Sequence, residues 1–526
     1  MTGHHESPGP GALRGMLVGV LAVTFALGIG HLLAGLWAPN SSPYLAVGNT
    51  AIDLTPDPVK QFAIQQFGES DKTVLLGGMA VVILVLALAA GLLSRRSVWP
   101  GVVLIGGFGL VGVGAASARP DLVVLGVLPA VAALLAGTAA FVLLHRLAAR
   151  DRTVTVDSQD PDGDSQDQGD GESGASRRTF VLCVAGLSAV AAGSAFGGQA
   201  LSRDQGVQAA RDRITRRIPA NPPIPGGADF VRAGTPSFIT RNRDFYRVDT
   251  ALSVPAVDAD AWRLRIHGMV NRELVLGLDD LMARRTVQRT ITMTCVSNEV
   301  GGPYVSTATF TGVPISELLG EVGVRAGAEQ VFSTSVDGYT AGTPVDVLLD
   351  GDRGALLAYG MNGEALPVEH GFPVRMVTPG LYGYLSATKW LVDMELTTFE
   401  RKTYWEQRGW AEQAPIKTQS RIDRPAAFQK FPAGTMTVAG VAWAQNTGIA
   451  AVEVRVDGGE WQRAELSTEV NNQTWRMWRA ELGFSPGTHT VECRATDRTG
   501  YTQVAERVPP IPNGATGLHS ITFIAT

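Results

Sequence analysis

Cys295 stands alone at the end of a β-like run. Residues 286–294 are dominated by threonine, with Val287 and Ile291. They open into Cys295-Val296-Ser297-Asn298-Glu299-Val300-Gly301-Gly302. A thiol at the end of a strand, before a polar and glycine-containing turn, is placed to ligate a metal or to attack a substrate. The competing reading is a buried, inert cysteine, a common fate of free thiols. Attack on a substrate needs a histidine base, and His267 and His370 are the histidines of the same predicted domain. The other cysteines offer no disulfide framework: Cys183 sits in an apolar run and Cys493 in an alternating strand that faces a core.

The chain that must position this thiol has 526 residues, too many for one core. A net charge of only −5 argues against a nucleic-acid partner, and 18% charged residues fits a mixture of membrane and soluble parts. Residues 1–150 read as a four-helix transmembrane region. Apolar stretches at 15–37, 73–93, 99–116 and 122–144 each approach bilayer-crossing length. The third is rich in glycine, which favours close helix packing. Arg14, Arg95, Arg96, Arg146, Arg150 and Arg152 fall on one side, which predicts a cytoplasmic N-terminus and an outer loop over 38–72. His31 and His145 fall at opposite ends of their spans and do not pair for haem.

Residues 151–176 are acidic and read as a disordered cytoplasmic linker. Residues 177–201 form a fifth apolar run headed by Arg177-Arg178-Thr179-Phe180, like a twin-arginine export signal inside the chain. The alternative is an ordinary helix with two positive-inside arginines. Export of a folded domain suits one that acquires a cofactor in the cytoplasm. Residues 202–234, with a Pro/Gly-rich spacer at 218–227, read as an extracytoplasmic linker. Residues 235–402 read as α+β, with strand-like runs at 262–267, 289–294, 331–335, 374–378 and 390–397. Helical runs fall at 278–284, 315–322 and 344–349. Residues 403–526 read as all β: 451–456 alternates, 457–459 turns, and 461–466, 475–482 and 488–497 follow as strands. This spacing suggests an immunoglobulin-like sandwich serving packing or dimerisation.

Several separated segments, in order, resemble the sulfite oxidase family of molybdenum enzymes. They are Asn242-Arg243-Asp244-Phe245-Tyr246, the strand 262–270, the cysteine loop 292–302, Asp337-Gly338-Tyr339-Thr340 and 356–363. His370-Gly371-Phe372-Pro373-Val374-Arg375, Pro379-Gly380, Ser386-Ala387-Thr388-Lys389-Trp390 and Gly514-Ala515-Thr516-Gly517 complete the set. The resemblance implies a Mo-molybdopterin cofactor, with molybdenum held by the two dithiolene sulfurs of one molybdopterin and by the Cys295 thiolate. It implies cofactor binding by Asn242, Tyr246, Asn298, His370, Arg375, Ser386, Thr388 and Lys389. Arg375 and Lys389 are suited to the terminal phosphate, and His370 to donating a hydrogen bond to pterin or phosphate. Arg241, Arg243 and Arg408 are candidates for positive charge near the substrate. The chain has no Cys-x-x-Cys-His haem motif.

The leading expectation is therefore a membrane-anchored, multi-pass molybdopterin oxidoreductase with its catalytic domain outside the cytoplasmic membrane. It would transfer an oxygen atom to or from a small molecule, by sulfite oxidation or sulfoxide or N-oxide reduction. A separate electron carrier or membrane redox partner, and a homodimer through the C-terminal domain, would complete it. A metal-free, membrane-anchored binding or scaffold protein is the alternative, and a cysteine-nucleophile hydrolase ranks below both.

Overall fold

In a computed structural model, residues 11–37, 41–56, 59, 62, 66–67, 70–119, 124–156 and 205–526 are described. The twin-arginine-like motif, the fifth apolar run, Cys183 and most of the acidic linker lie outside the described residues. The chain forms two compact units: residues 1–204 with 251–255, and residues 205–250 with 256–526.

The first unit is helical: α1 (Ala12–Trp37), α2 (Pro43–Leu54), α3 (Asp71–Leu93), α4 (Trp99–Ser117) and α5 (Leu128–Val156). Four of these helices, all but α2, are long and apolar enough to cross a membrane by length and composition. Val18, Ala22, Ala90, Ile105, Phe141 and Leu144 form their shared core, while Val81, Val82, Val85, Leu110 and Leu135 are exposed. Two features depart from expectation. The stretch expected as an outer loop contains α2, opened by a proline in its first turn, where a missing N–H costs nothing. The last helix runs to Val156, past the boundary drawn at residue 150. His145 donates from Nε2 to the Ser94 carbonyl at 2.7 Å.

The second unit begins with a helix, Gln205–Thr215, where a free linker was expected. Val207, Ala210 and Ile214 are buried, and Arg211 donates to the carbonyls of Ala365 and Leu366. The periodic burial of those three residues is the helical signal the composition of the segment concealed.

Ten strands follow: β1 (Arg263–Gly268), β2 (Leu274–Gly277), β3 (Val287–Thr294), β4 (Val305–Pro314), β5 (Gln330–Ser335), β6 (Thr340–Pro344), β7 (Leu356–Met361), β8 (Glu364–Ala365), β9 (Arg375–Val377) and β10 (Leu391–Thr397). They build two sheets, in the orders β2-β1-β10-β5-β6 and β3-β4-β7-β8, with β9 added on β7. Within these two sheets only β1 and β10 pair in parallel. Helices Leu278–Met282, Ile315–Val322 and Val345–Leu349 match the expected helical runs.

Nine more strands follow: β11 (Gln419–Arg424), β12 (Lys430–Phe431), β13 (Gly434–Trp443), β14 (Ile449–Val456), β15 (Gln462–Arg463), β16 (Glu465–Leu466), β17 (Arg476–Phe484), β18 (Gly487–Asp497) and β19 (His519–Ala525). They form sheets in the orders β11-β13-β17-β16 and β12-β19-β18-β14-β15. The two share one core of Ile422, Val438, Val452, Val454, Trp478, Cys493 and Phe523. The single strand expected over 461–466 is instead split. β15 pairs with β14 in one sheet and β16 with β17 in the other, with buried Ala464 at the crossing. Alternation alone does not show that a strand changes sheets.

A second core joins the α+β layers to this β module. Phe238, Val296, Val305, Tyr382 and Leu385 pack with Val441, Trp443, Trp475 and Met477. Val296 follows Cys295 directly, so the thiol sits where the two layers meet.

Candidate functional site

β3 delivers the thiol. Its last five residues, Thr290 to Thr294, are buried. Their hydroxyls pair across to β4, Thr290 with Thr309 at 2.9 Å and Thr292 with Thr307 at 2.5 Å. Threonine suits this place because its branched Cβ favours the strand and its hydroxyl is satisfied in a dry interior. The Cys295 N–H donates to the Tyr304 carbonyl at 3.0 Å, and the Asn298 N–H closes the turn onto the Cys295 carbonyl at 3.1 Å. Asn298 Oδ1 accepts from the Tyr304 N–H at 2.8 Å. Its Nδ2, in a residue 3% exposed, has no partner.

Cys295 is buried and unbridged. Its Sγ lies 2.9 Å from Ser297 Oγ. Burial pushes its pKa up, against smaller opposing effects of Ser297 and Lys389. The free thiol is therefore protonated at neutral pH and a poor nucleophile; a soft metal would displace the proton. Among the described residues no histidine is hydrogen-bonded to it. His267 pairs with Asp393 at 3.0 Å, and His370 faces the Asn242 carbonyl at 3.0 Å. No three His, Cys, Asp or Glu side chains among the described residues converge on a bare metal ion. A metal at Cys295 must bring further ligands with it, as a dithiolene does.

The cationic side of the cluster is built by the turn Val368–His370, β9 and the residues after the short helix Gly383–Ser386. The Arg375 side chain lies inside the protein and donates to the carbonyls of Met376 (Nε, 3.4 Å), His370 (Nη1, 3.1 Å) and Ala387 (Nη2, 3.2 Å). Among the described ion pairs Arg375 has none, an exceptional state for a buried guanidinium. Burial lowers its pKa to about 10, so it stays charged at neutral pH. Lys389 is also buried; it ion-pairs with Asp249 and donates to the Glu369 carbonyl at 3.0 Å. Burial, with Arg375 nearby, lowers its pKa to about 8 despite Asp249. The Asp249 side chain is 2% exposed. Burial alone would raise its pKa, but Lys389 and Arg247 hold it down at about 2. Gly371, at φ +107°, lets these groups converge. A Cβ there would sit 3.0 Å from the Lys389 Cβ and 3.1 Å from the Arg375 Cβ.

His370 behaves differently from expectation. Burial, with Lys389 and Arg375 nearby, holds its pKa at about 3, so the ring is neutral. Nε2 faces a carbonyl and must carry the one proton. Nδ1 is then a bare lone pair, buried and without a partner. The expected donor thus presents an acceptor nitrogen.

The structure gathers Cys295, Tyr246, His370, Arg375 and Lys389 into one electrostatic cluster. Tyr246 is raised by burial and by Cys295 and lowered by Arg375. The Phe245 ring packs edge-on against His370 at 5.5 Å. Asn242 is placed otherwise. Its amide donates to Glu364 and Met361 and its Oδ1 accepts from Asn362, so only its backbone carbonyl reaches the cluster. Ser386 Oγ donates to the carbonyls of Leu381 and Tyr382, and Thr388 Oγ1 pairs with Ser333 at 2.7 Å. Their backbone carbonyls hold β9 by accepting from Thr378 and Met376.

Sequence reasoning missed Asp249, Tyr339 and Tyr382. Tyr339 is raised by burial, Asp337 and then Cys295, and Tyr382 to about 12 by burial, with Cys295 adding. With Tyr246 they are the phenols coupled electrostatically to Cys295, although the Tyr339 hydroxyl donates to the Tyr384 carbonyl at 2.9 Å and the Tyr382 hydroxyl accepts from the Lys417 N–H at 3.4 Å. Arg241 and Arg243 ion-pair with Asp244 at the surface. Arg408 stacks on Tyr404, 3.6 Å from the ring centroid, and Tyr404 packs on Tyr339 at 5.9 Å. The nearest sequence signal for Asp249 was its spacing, two residues after Arg247 and soon after the Asn242–Tyr246 motif.

A single soft thiol, a buried guanidinium with no ion pair among the described ones and orphaned polar atoms at His370 and Asn298 fit a molybdopterin site. Residues 251–405 match the oxidoreductase molybdopterin binding domain family. Mitochondrial sulfite oxidase of Macaca fascicularis is 30% identical over 328 residues, covering 53% of this chain and 59% of that protein. The uncharacterized oxidoreductase YuiH of Bacillus subtilis is 32% identical over 153 residues, covering 29% of this chain and 74% of that protein. The crystal structure of the sulfane dehydrogenase SoxCD from Paracoccus pantotrophus aligns with a TM-score of 0.46 at 23% identity, over 52% of this chain and 78% of that chain. The chain belongs to the sulfite oxidase family of molybdopterin-dependent oxidoreductases, whose cofactor is Mo-molybdopterin. It spans about three-fifths of the length of the mitochondrial sulfite oxidase it matches, 59%.

Proposed function

We propose that this protein is a membrane-anchored enzyme that carries out two-electron oxygen-atom transfer on a small substrate outside the cytoplasmic membrane. The observation that carries the reading is the buried Arg375 guanidinium, without a carboxylate partner, in one cluster with the Cys295 thiol. When bound, the cofactor supplies the two-electron redox centre and the open position for the oxygen atom. Cys295 would ligate the molybdenum, and Arg375 and Lys389 would hold the terminal phosphate. The unpartnered His370 Nδ1 would accept from, and the unpartnered Asn298 Nδ2 would donate to, polar groups of the cofactor. Tyr246 closes the site beside the thiol.

The four long apolar helices support the anchor, and the arginine distribution supports a cytoplasmic N-terminus; the fifth apolar run at 177–201 would make the further crossing that puts the catalytic unit on the far side. Electrons pass to a separate carrier or a membrane partner. The two facing sheets support an immunoglobulin-like module that also serves a homodimer. Sulfite oxidation is the first reading, because the relatives matched along most of the catalytic unit are sulfite oxidases. Reduction of a neutral sulfoxide or N-oxide is the second. It is favoured by the surface pairing of Arg241 and Arg243 with Asp244.

The test is electron paramagnetic resonance of the full chain in detergent, loaded with cofactor, after addition of sulfite, with dithionite as control. A Mo(V) signal with sulfite supports the oxidase. A signal with dithionite alone, followed by turnover of a sulfoxide, supports the reductase. No signal and no molybdenum by metal analysis would leave the metal-free binding protein.

A further inference from the structure

β3 is an edge strand of its sheet. An unpaired edge leaves backbone groups unsatisfied and lets a strand end move. Here the edge is covered by the C-terminal β module. The Thr292 N–H donates to the Gln473 carbonyl at 3.0 Å, and the Trp475 N–H donates to Thr292 Oγ1 at 2.6 Å. Gln445, 4% exposed, donates from Nε2 to the Thr292 carbonyl at 3.1 Å and to Thr294 Oγ1 at 3.4 Å. Asn471 donates to the Thr290 carbonyl at 3.1 Å. Every one of these contacts falls within five residues of the thiol.

A second grip lies on the far side of Cys295. Arg421 of β11 donates from Nη1 to the Gly302 carbonyl at 2.9 Å and is braced by Asp423 at 2.8 Å. The His519 ring of β19 lies against Gly301, whose φ is +80°. A Cβ on Gly301 would come within 2.2 Å of that ring, so the turn must be glycine for the module to close on it.

We propose that the C-terminal β module positions the Cys295 ligand, with Gln445 and Arg421 as its positioning residues, in addition to any role in dimerisation. The two grips fix the strand before the thiol and the turn after it. A ligand held at both ends keeps one direction toward the metal, which is how outer contacts tune a metal site. This inference rests on the reading of Cys295 as the molybdenum ligand.

The test uses the full chain with Gln445→Leu, Arg421→Met and Arg421→Lys, and Arg455→Met in β14, where Arg455 pairs with Glu492, as control. On cofactor-free protein, alkylation by iodoacetamide is followed residue by residue by mass spectrometry, with buried Cys493 as internal standard. Q445L and R421M are expected to speed alkylation of Cys295 by about tenfold, the scale of one lost buried hydrogen bond, and to leave Cys493 unchanged. R421K, which can still reach the Gly302 carbonyl, stays near wild type. In loaded protein the first two variants lower kcat more than they change KM and shift the Mo(V) line shape. Unchanged alkylation and line shape in both overturn the proposal. So does a parallel rise at Cys493, which marks general loosening. If wild type holds no molybdenum, the proposed function fails while the alkylation arm still decides this inference.

Discussion

Replacing Arg375 by glutamine separates the anion-binding role from a merely structural one. The guanidinium has five N–H donors, and three are spent on the carbonyls of Met376, His370 and Ala387. One hydrogen remains on each terminal nitrogen, which suits two oxygens of one phosphate. A hydrogen bond to a charged group contributes about 1.5–3 kcal/mol. Losing two weakens cofactor binding by about 3–6 kcal/mol, or roughly 10²–10⁴-fold. Arg375→Lys keeps one charge and one contact and should lose about half of that free energy. The assay is molybdenum and released pterin per mole of purified full-length protein. In parallel, cofactor-free protein is melted with and without pyrophosphate. Pyrophosphate should stabilise wild type and leave R375Q unmoved. Equal protection of both, or wild-type cofactor content in R375Q, would refute the assignment. A fall in the melting temperature of R375Q alone would report only its three stranded carbonyls.

Cys295→Ser is nearly isosteric and should fold, yet lower kcat by at least about 10²-fold with an altered Mo(V) spectrum, because a hard hydroxyl replaces a soft thiolate. Asp249 has a folded pKa of about 2 against an ordinary 3.8. It therefore contributes about 2 kcal/mol above pH 4, lost as pH falls through about 2. Asp249→Asn should be destabilised by at least that amount at pH 7 by urea titration of the cofactor-free protein. Lys389 titrates at about 8 instead of 10.5, so affinity for the cofactor phosphate, measured by reconstitution, should weaken as pH rises through 8. Stability of the cofactor-free protein should move the opposite way between 8 and 10.5, where the unfolded chain binds more protons. Lys389→Arg should abolish both trends.

What the sequence disclosed was what depends on local pattern. β3 and its terminal cysteine, the helices at 278–282 and 315–322, and four apolar spans follow from periodicity, which needs no partner. Arg375 and Lys389 were legible as cations, through the resemblance of their segments. What was hidden depends on distant partners. Asp249 looks like a solvated charge beside Arg247 until Lys389, 140 residues away, closes on it. The role of His370 inverts because the Asn242 carbonyl, 128 residues earlier, takes its one proton. The helix at 205–215 was masked by its charged, weakly apolar composition, and the strand at 461–466 by a sheet change that its own pattern does not encode.

The two cations divide the work because their surroundings differ. Lys389 already has a carboxylate, so with Asp249 it presents little net charge to a ligand and sits near its titration point. Arg375 donates to carbonyls, which fix its plane, and has no ion pair among the described ones; Asp249 favours its charge from beyond ion-pair contact. On the proposed reading, a dianionic phosphate would be met by one charge held in orientation at Arg375 and one adjustable charge at Lys389. The phosphate itself would raise the Lys389 pKa by adding negative charge beside it. Binding should therefore take up a fraction of a proton near pH 8, measurable as a buffer-dependent heat when pyrophosphate is titrated into the cofactor-free protein. A heat independent of buffer would place Lys389 away from the anion and leave the phosphate to Arg375 alone.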